Sequence, residues 1–138
     1  MRTRATPTIL TLLLLAPSVR ADTRLDPSSA AEGKLTYVRY CVSCHGKTGL
    51  GDGPLARDLR VPVPDLTTLA ARSSGQFPYA RVVRIIESGE EVRGHGTPDM
   101  PAWGDAFKKT QGTNAPTINA AVRNLAHYIW SLQRPAPK

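Results

Sequence analysis

Two cysteines three residues apart, followed at once by a histidine, concentrate the chemistry of this 138-residue chain: Cys41, Cys44 and His45, inside CVSCHGKTGLGDGP. Residues of these types can ligate zinc, cycle between dithiol and disulfide, or carry a covalently attached haem, and the following GKT hints at a phosphate loop. A phosphate loop needs an earlier glycine and a preceding strand, but Cys41 and Val42 stand where that glycine belongs. A structural zinc site needs four ligands. The adjacent Cys44 and His45 are poorly placed to share one tetrahedral ion, and the fourth ligand would have to be His95 or His127. A redox dithiol of this spacing belongs in a βαβ setting, and no alternating strand pattern of useful length occurs anywhere. In Cys-x-x-Cys-His, two thiols on one helical turn reach two neighbouring vinyl groups as thioethers, and the next residue can ligate the iron. This use consumes both cysteines of the chain, so no pair is left over for a disulfide.

A ligand is needed on the other face of such an iron. Past the first residue, Met100 is the only methionine, in DMPAWG just before Pro101 and far along the chain from His45. No apolar periodicity surrounds it, which argues against a gap-filling core methionine; methionine opposite histidine is an established haem pair. His95 is the rival ligand. His127 falls mid-helix beside an apolar face and reads as a histidine at the solvent edge. Glu87, Glu90 and Glu91 read as a solvated cluster with no acid–base role.

The elements that must position these residues are helical. Ser29 with Glu32 three residues on forms a capping box, and Ala31, Leu35, Val38 and Val42 follow at helical spacing, running straight into Cys41–His45. A glycine-rich loop follows over Gly46 to Gly53, then PLARDLRVPVPD, whose three prolines oppose regular structure. LTTLAARS predicts a short helix with Asp65 as N-cap. FPYARVVRIIESG predicts another, with Pro78 in its first turn, Gly89 at its C-terminal cap, and Ala80, Val83 and Ile86 or Ile85 on its buried face. Residues 89–116 read as loop. The last helix is marked by Ile118, Val122, Leu125, Ile129 and Leu132, with Pro135 as its stop. The pattern is all-α, with long loops and no repeats. Aromatic residues make up only 6% of the chain, so the apolar core is thin, and a large buried cofactor would complete it.

The first residues have a different character. Arg2 and Arg4 precede ILTLLLLA, and PSVRA ends on the small residue Ala21, the order of a cleaved secretory signal. The apolar run is too short to span a bilayer, which takes about 20 residues. Cleavage after Ala21 would leave residues 22–138 as one domain, ordered from about 29 to 134, in the periplasm. Loss of Arg2, Arg4 and Arg20 would lower the formal charge from +7 to +4. That charge is spread thinly, without the basic stripe and interleaved aromatics that nucleic-acid binding requires. No other apolar run is long enough for a membrane span.

CVSCHG at the end of an amphipathic first helix, GDGP, PDLTTLAAR, HGTPDMPAWG and the final LAHYIWSL together resemble a monohaem class I cytochrome c of the bacterial periplasmic kind, over nearly the whole chain after residue 21. The resemblance implies one haem c, held by thioethers to Cys41 and Cys44 with His45 and Met100 as axial ligands. It implies that the Pro54 carbonyl accepts a hydrogen bond from His45, fixing the ring, and that Gly33 and Tyr37 of the first helix pack on the last, with Tyr128 as aromatic partner. Trp103 would cover the haem edge or bond a propionate. Leu55 directly follows Pro54, where the family often has its leucine one residue later, so Leu59 is the candidate for that packing role. The function implied is that of a monomeric one-electron carrier between transient redox partners, not an enzyme, with a haem-bearing subunit of a larger dehydrogenase or oxidase as the alternative. A haem enzyme or gas sensor would need a labile sixth position, against which the single methionine argues.

Overall fold

The computed structural model describes residues 24–89, 102–111 and 114–135. Its α-helices are α1 (Pro27–Tyr40), α2 (Val42–His45), α3 (Tyr79–Ser88), α4 (Trp103–Gln111) and α5 (Ala115–Ser131), with short 3-10 turns at Ala56–Asp58, Leu66–Thr68 and Ala71–Ser73. There is no strand among the described residues. The expected all-α architecture is therefore present, while the expected signal segment and Met100 lie outside the described residues.

Helix α1 begins earlier than its sequence suggests. The N-cap is Asp26, not Ser29: its carboxylate accepts from the Ser28 amide at 3.0 Å and from the hydroxyls of Ser28 and Ser29, each at 2.8 Å. Those bonds hold the Asp26 carboxyl well below its ordinary value of 3.8, at about 2. Pro27 then fills the first helical position, where the missing amide costs nothing. Residues 27 and 28, expected to be disordered, belong to this first turn.

The face that α1 buries also differs from the one its periodicity marks. Leu35 and Val38 are 68% and 59% exposed, whereas Ala30, Gly33, Tyr37 and Cys41 are buried. Close approach explains the choice. A β-carbon on Gly33 would overlap the backbone carbonyl of Asn124 in α5, so glycine lets two helix backbones meet here where a larger residue would hold them apart. One turn on, the Tyr37 ring packs against Tyr128 with centroids 5.0 Å apart. The Gly33, Tyr37 and Tyr128 contacts implied by the resemblance are thus present, and the Leu35 stripe is the solvent-facing one.

Helix α5 follows its sequence closely: Ile118, Val122, Leu125 and Ile129 are all at most 5% exposed. In α3 the buried residues are Val82 and Ile86; Ala80 is exposed, Val83 is half-buried, and Pro78 is the N-cap instead of a first-turn residue. Gly89 closes α3 in the left-handed conformation, as expected. Asp65 caps its turn through the Thr67 amide at 2.8 Å, but two 3-10 turns stand where one α-helix was expected. Helix α4 was missed altogether in a segment that reads as loop. Gly104 allows it to lie against α3, since a β-carbon there would meet the Glu87 carbonyl oxygen at 2.6 Å.

The end of α5 pins the segment that follows the glycine loop. The Gln133 side chain accepts from the Ala70 amide and donates to the Leu66 carbonyl, both at 2.8 Å. The Arg134 amide donates to the Thr67 carbonyl at 2.9 Å, and its guanidinium pairs with Asp65 at 2.6 Å. Burial opposes ionisation of Asp65, but the Thr67 and Arg134 bonds outweigh it and hold the carboxyl below its ordinary range.

Candidate functional site

Cys41 ends α1, and the backbone turns directly into α2, whose last residue is His45. The Cys44 and His45 amides both donate to the Cys41 carbonyl, at 3.2 and 2.9 Å, so the three residues share one turn. Gly46 terminates that turn at a φ of 77°, a conformation that favours glycine. The following loop folds back on it: the Gly51 amide donates to the His45 carbonyl, Gly53 to Cys44 and Leu55 to Ser43, at 2.9, 3.1 and 2.8 Å. A β-carbon on Gly53 would overlap the Ser43 carbonyl. The spacing of the glycines in GKTGLGDG therefore serves to wrap backbone tightly around the Cys44–His45 turn, not to cradle phosphate.

Cys41 and His45 open onto a cavity of about 300 Å³. Its wall is mainly apolar: Leu66 and Leu69 from the pinned segment, Val82, Ile85 and Ile86 from α3, Leu125 and Ile129 from α5, and Trp103 from α4. His45 is 4% exposed, with Nδ1 sealed from solvent. Cys41 is buried, which, with Cys44 beside it, pushes its thiol up to about 12. Cys44 is half-buried, and no disulfide joins it to Cys41. Tyr37 also lines the cavity, and its hydroxyl donates to the Gly46 carbonyl at 2.8 Å, tying α1 to the end of the turn. Burial drives the Tyr37 hydroxyl well above its ordinary pKa, so it stays protonated as a donor.

The residues present fit a flat, largely apolar group reached from one turn by the Cys41 thiol and an imidazole; Cys44 shares that turn but is not part of the cavity wall. The indole Nε1 of Trp103 adds a buried donor without a hydrogen-bond partner among the described residues. Such an atom is costly unless something polar meets it.

Residues 28–114 match the family described as cytochrome c oxidase, cbb3-type, subunit III. The chain belongs to this family of c-type cytochromes. The match covers well over half the sequence and includes Cys41, Cys44 and His45. No curated protein and no solved structure matches. Membership makes covalently bound haem c the cofactor and electron transfer the role of the cytochrome c domain. No helix among the described residues is long and apolar enough to cross a membrane.

For this cytochrome the structure brings together some of the expected site residues and not others. Cys41, His45 and Trp103 line one cavity. Pro54 is exposed and lies outside the cavity wall, although its neighbours Gly53 and Leu55 are bonded to the Cys44–Ser43 backbone. Leu59 is not part of the wall, which includes Leu66 and Leu69. Leu55 is 50% exposed. Met100 and its rival His95 are outside the described residues, as are Glu90 and Glu91, while Glu87 is exposed.

Sequence reasoning missed Arg72 and Arg81 as wall residues. Arg81 is one residue from the buried Val82, which was the available signal. His127 proves more engaged than a solvent-edge histidine. Its Nδ1 accepts the Asp26 amide at 3.2 Å, and its ring packs on Tyr79 at 4.9 Å.

Proposed function

We propose that this cytochrome carries single electrons on one haem c, bound through Cys41 and Cys44, with His45 and Met100 as axial ligands. The observation that carries the proposal is the placement of Cys41 and the buried His45 on the wall of one apolar cavity, on the turn that Cys44 shares. Bound there, the haem supplies an iron that changes oxidation state by one electron. The chain's residues do the rest. His45, fixed by α2 and the glycine loop, would hold the iron, and Leu66, Leu69, Ile86 and Ile129 would exclude water. An apolar surrounding disfavours the extra charge of ferric iron and, with a methionine ligand, raises the potential. Two protein ligands leave no coordination position for a substrate, consistent with a carrier and not an enzyme. The proposed setting is the periplasm, after cleavage at Ala21, with redox proteins as transient partners of a monomer.

The family supports a second reading in which the chain is the haem-bearing subunit of a larger oxidase or dehydrogenase, because the matched family is described as an oxidase subunit. Acid–acetone extraction of the denatured protein tests the attachment: haem stays with the polypeptide, and recovery of free haem would overturn it. Gel filtration at high salt separates the two roles. A carrier elutes alone, and a subunit elutes with its catalytic partner.

A further inference from the structure

The backbone tightens past the end of α5, with the Leu132 amide donating to Ile129 and the Gln133 amide to Trp130, at 3.2 and 3.1 Å. Pro135 opposes a further helical turn, and the Arg134 amide donates across to the Thr67 carbonyl at 2.9 Å. Both side chains reach the same stretch. Gln133 uses both ends of its amide: Oε1 accepts from the Ala70 amide and Nε2 donates to the Leu66 carbonyl, each at 2.8 Å. Nε2 also donates to the Ile129 carbonyl at 2.8 Å, one of the groups that a helix end leaves without an internal partner. The Arg134 guanidinium donates to the Thr67 hydroxyl at 2.7 Å and to the Asp65 carboxylate at 2.6 Å. Thr67 is only 4% exposed, so this joint is sheltered. Leu66 and Leu69, both in the cavity wall, stand between these bonds. On its other side the segment is tied to the glycine loop, where the Leu66 amide donates to the Gly49 carbonyl at 2.7 Å. This part of the wall is therefore strung between the loop that wraps the Cys44–His45 turn and the end of α5.

We propose that Gln133 and Arg134 are positioning residues for electron transfer, a clamp that sets the reduction potential by keeping Leu66 and Leu69 in the cavity wall and water out of it. An apolar surrounding raises the potential because it disfavours the extra charge of ferric iron. A wall that opens admits water and lowers it. The clamp acts through the two leucines, since its own polar groups are bonded to the far side of their segment's backbone and to Asp65 and Thr67. The proposal rests on the haem occupying this cavity, and holds whichever residue is the second axial ligand.

The test is redox titration of the haem-loaded protein, with amide hydrogen exchange measured on the same samples. Gln133→Ala should lower the potential, and its Ala70 amide should exchange roughly two- to tenfold faster, the range set by one net hydrogen bond. Arg134→Gln keeps the backbone bond to Thr67 and should lower the potential less. Arg134→Lys keeps a charge opposite Asp65 and should recover part of that loss. Asp26→Ala is the comparison: it weakens the α1 cap, outside the cavity wall, and should leave the potential unchanged. Faster exchange at Ala70 with an unchanged potential would make the clamp purely structural and overturn the proposal. An equal fall in the Asp26 variant would also overturn it, by marking a general loosening. If Gln133→Ala yields no folded protein, the Arg134 variants decide alone, and wild-type potentials in both would overturn the proposal. A wild-type chain without haem absorption would instead overturn the haem reading, and this proposal with it.

Discussion

Gly33 in α1 lies so close to the carbonyl of Asn124 in α5 that a single added methyl group would overlap it. The first and last helices of the chain are thus in backbone contact, and the Tyr37–Tyr128 ring pair sits one turn along the same seam.

Gly33→Ala should therefore destabilise the protein although alanine is the better helix former. Overpacking typically costs about 1–3 kcal/mol, against a helix-propensity gain of at most about 1 kcal/mol. Thermal unfolding of the haem-loaded variant should show a lowered midpoint; an unchanged or raised one would mean the helices can part without loss.

Tyr37→Phe keeps the ring contact and removes the hydroxyl that meets the Gly46 carbonyl at 2.8 Å. Leaving a buried acceptor unmet costs about 1–3 kcal/mol. Denaturant unfolding measures that loss.

Asp26 supplies a pH-dependent contribution. Its carboxyl titrates at about 2 in the folded chain against an ordinary 3.8. A depressed folded value means the stabilisation is complete above about pH 4 and is lost as pH falls through 2. Asp26→Ala should remove this acid limb from the stability profile, and Asp26→Asn, which keeps a capping oxygen, should lose the limb while staying near wild type at neutral pH. The carboxylate is exposed, so added salt should shrink the effect.

Met100→Ala should abolish the weak red absorption band of the ferric protein that reports iron–sulfur coordination, lower the reduction potential, and open the iron to added ligands. His95→Ala should leave the band intact. Loss of the band in the His95 variant instead would replace methionine with histidine as the second ligand.

Electron transfer to an acidic partner at the haem edge should slow as salt rises, because exposed charges are screened beyond roughly 10 Å at 0.1 M. Three lysines lie on elements next to the site, Lys47 just after the Cys44–His45 turn and Lys108 and Lys109 on α4, and of these Lys108 is already paired with Asp105 at 2.8 Å. Lys47→Gln should accordingly flatten the salt dependence more than Lys108→Gln, with Lys109→Gln as the third comparison, measured as bimolecular rates across a salt series.

The cysteine–histidine turn was legible because its chemistry lies in a contiguous motif. Helix α5 was legible because large aliphatics recur at helical spacing on the one face it buries. The same rule misread α1, where Ala30, Gly33 and Tyr37 take the buried positions and Leu35 and Val38 face water: apolar periodicity marks the aliphatic side chains, whereas the close approach in this seam depends on a residue that has none. Helix α4 was hidden for a related reason, since WGDAFKKTQ offers few apolar residues and has as its second residue a glycine that serves contact with α3. The cavity wall could not be read at all, because Leu66, Ile86 and Ile129 come from separate stretches of chain that meet only through the packing of α3 on α5 and the bonds of Gln133 and Arg134 to the Asp65–Ala70 segment.

The seam between α1 and α5 also makes the residues between them one long tethered loop. Bringing together chain ends more than seventy residues apart carries an entropy cost of about (3/2)RT ln n, roughly 4 kcal/mol before any constant, and the contacts of α5 must offset it. Cys41 stands at the root of that loop, while Leu125 and Ile129, which seal the cavity, come from its far end. A polypeptide emerging from its N-terminus therefore presents Cys41, Cys44 and His45 well before the lid of their own cavity has been made. The anchoring turn is accessible first and enclosed last.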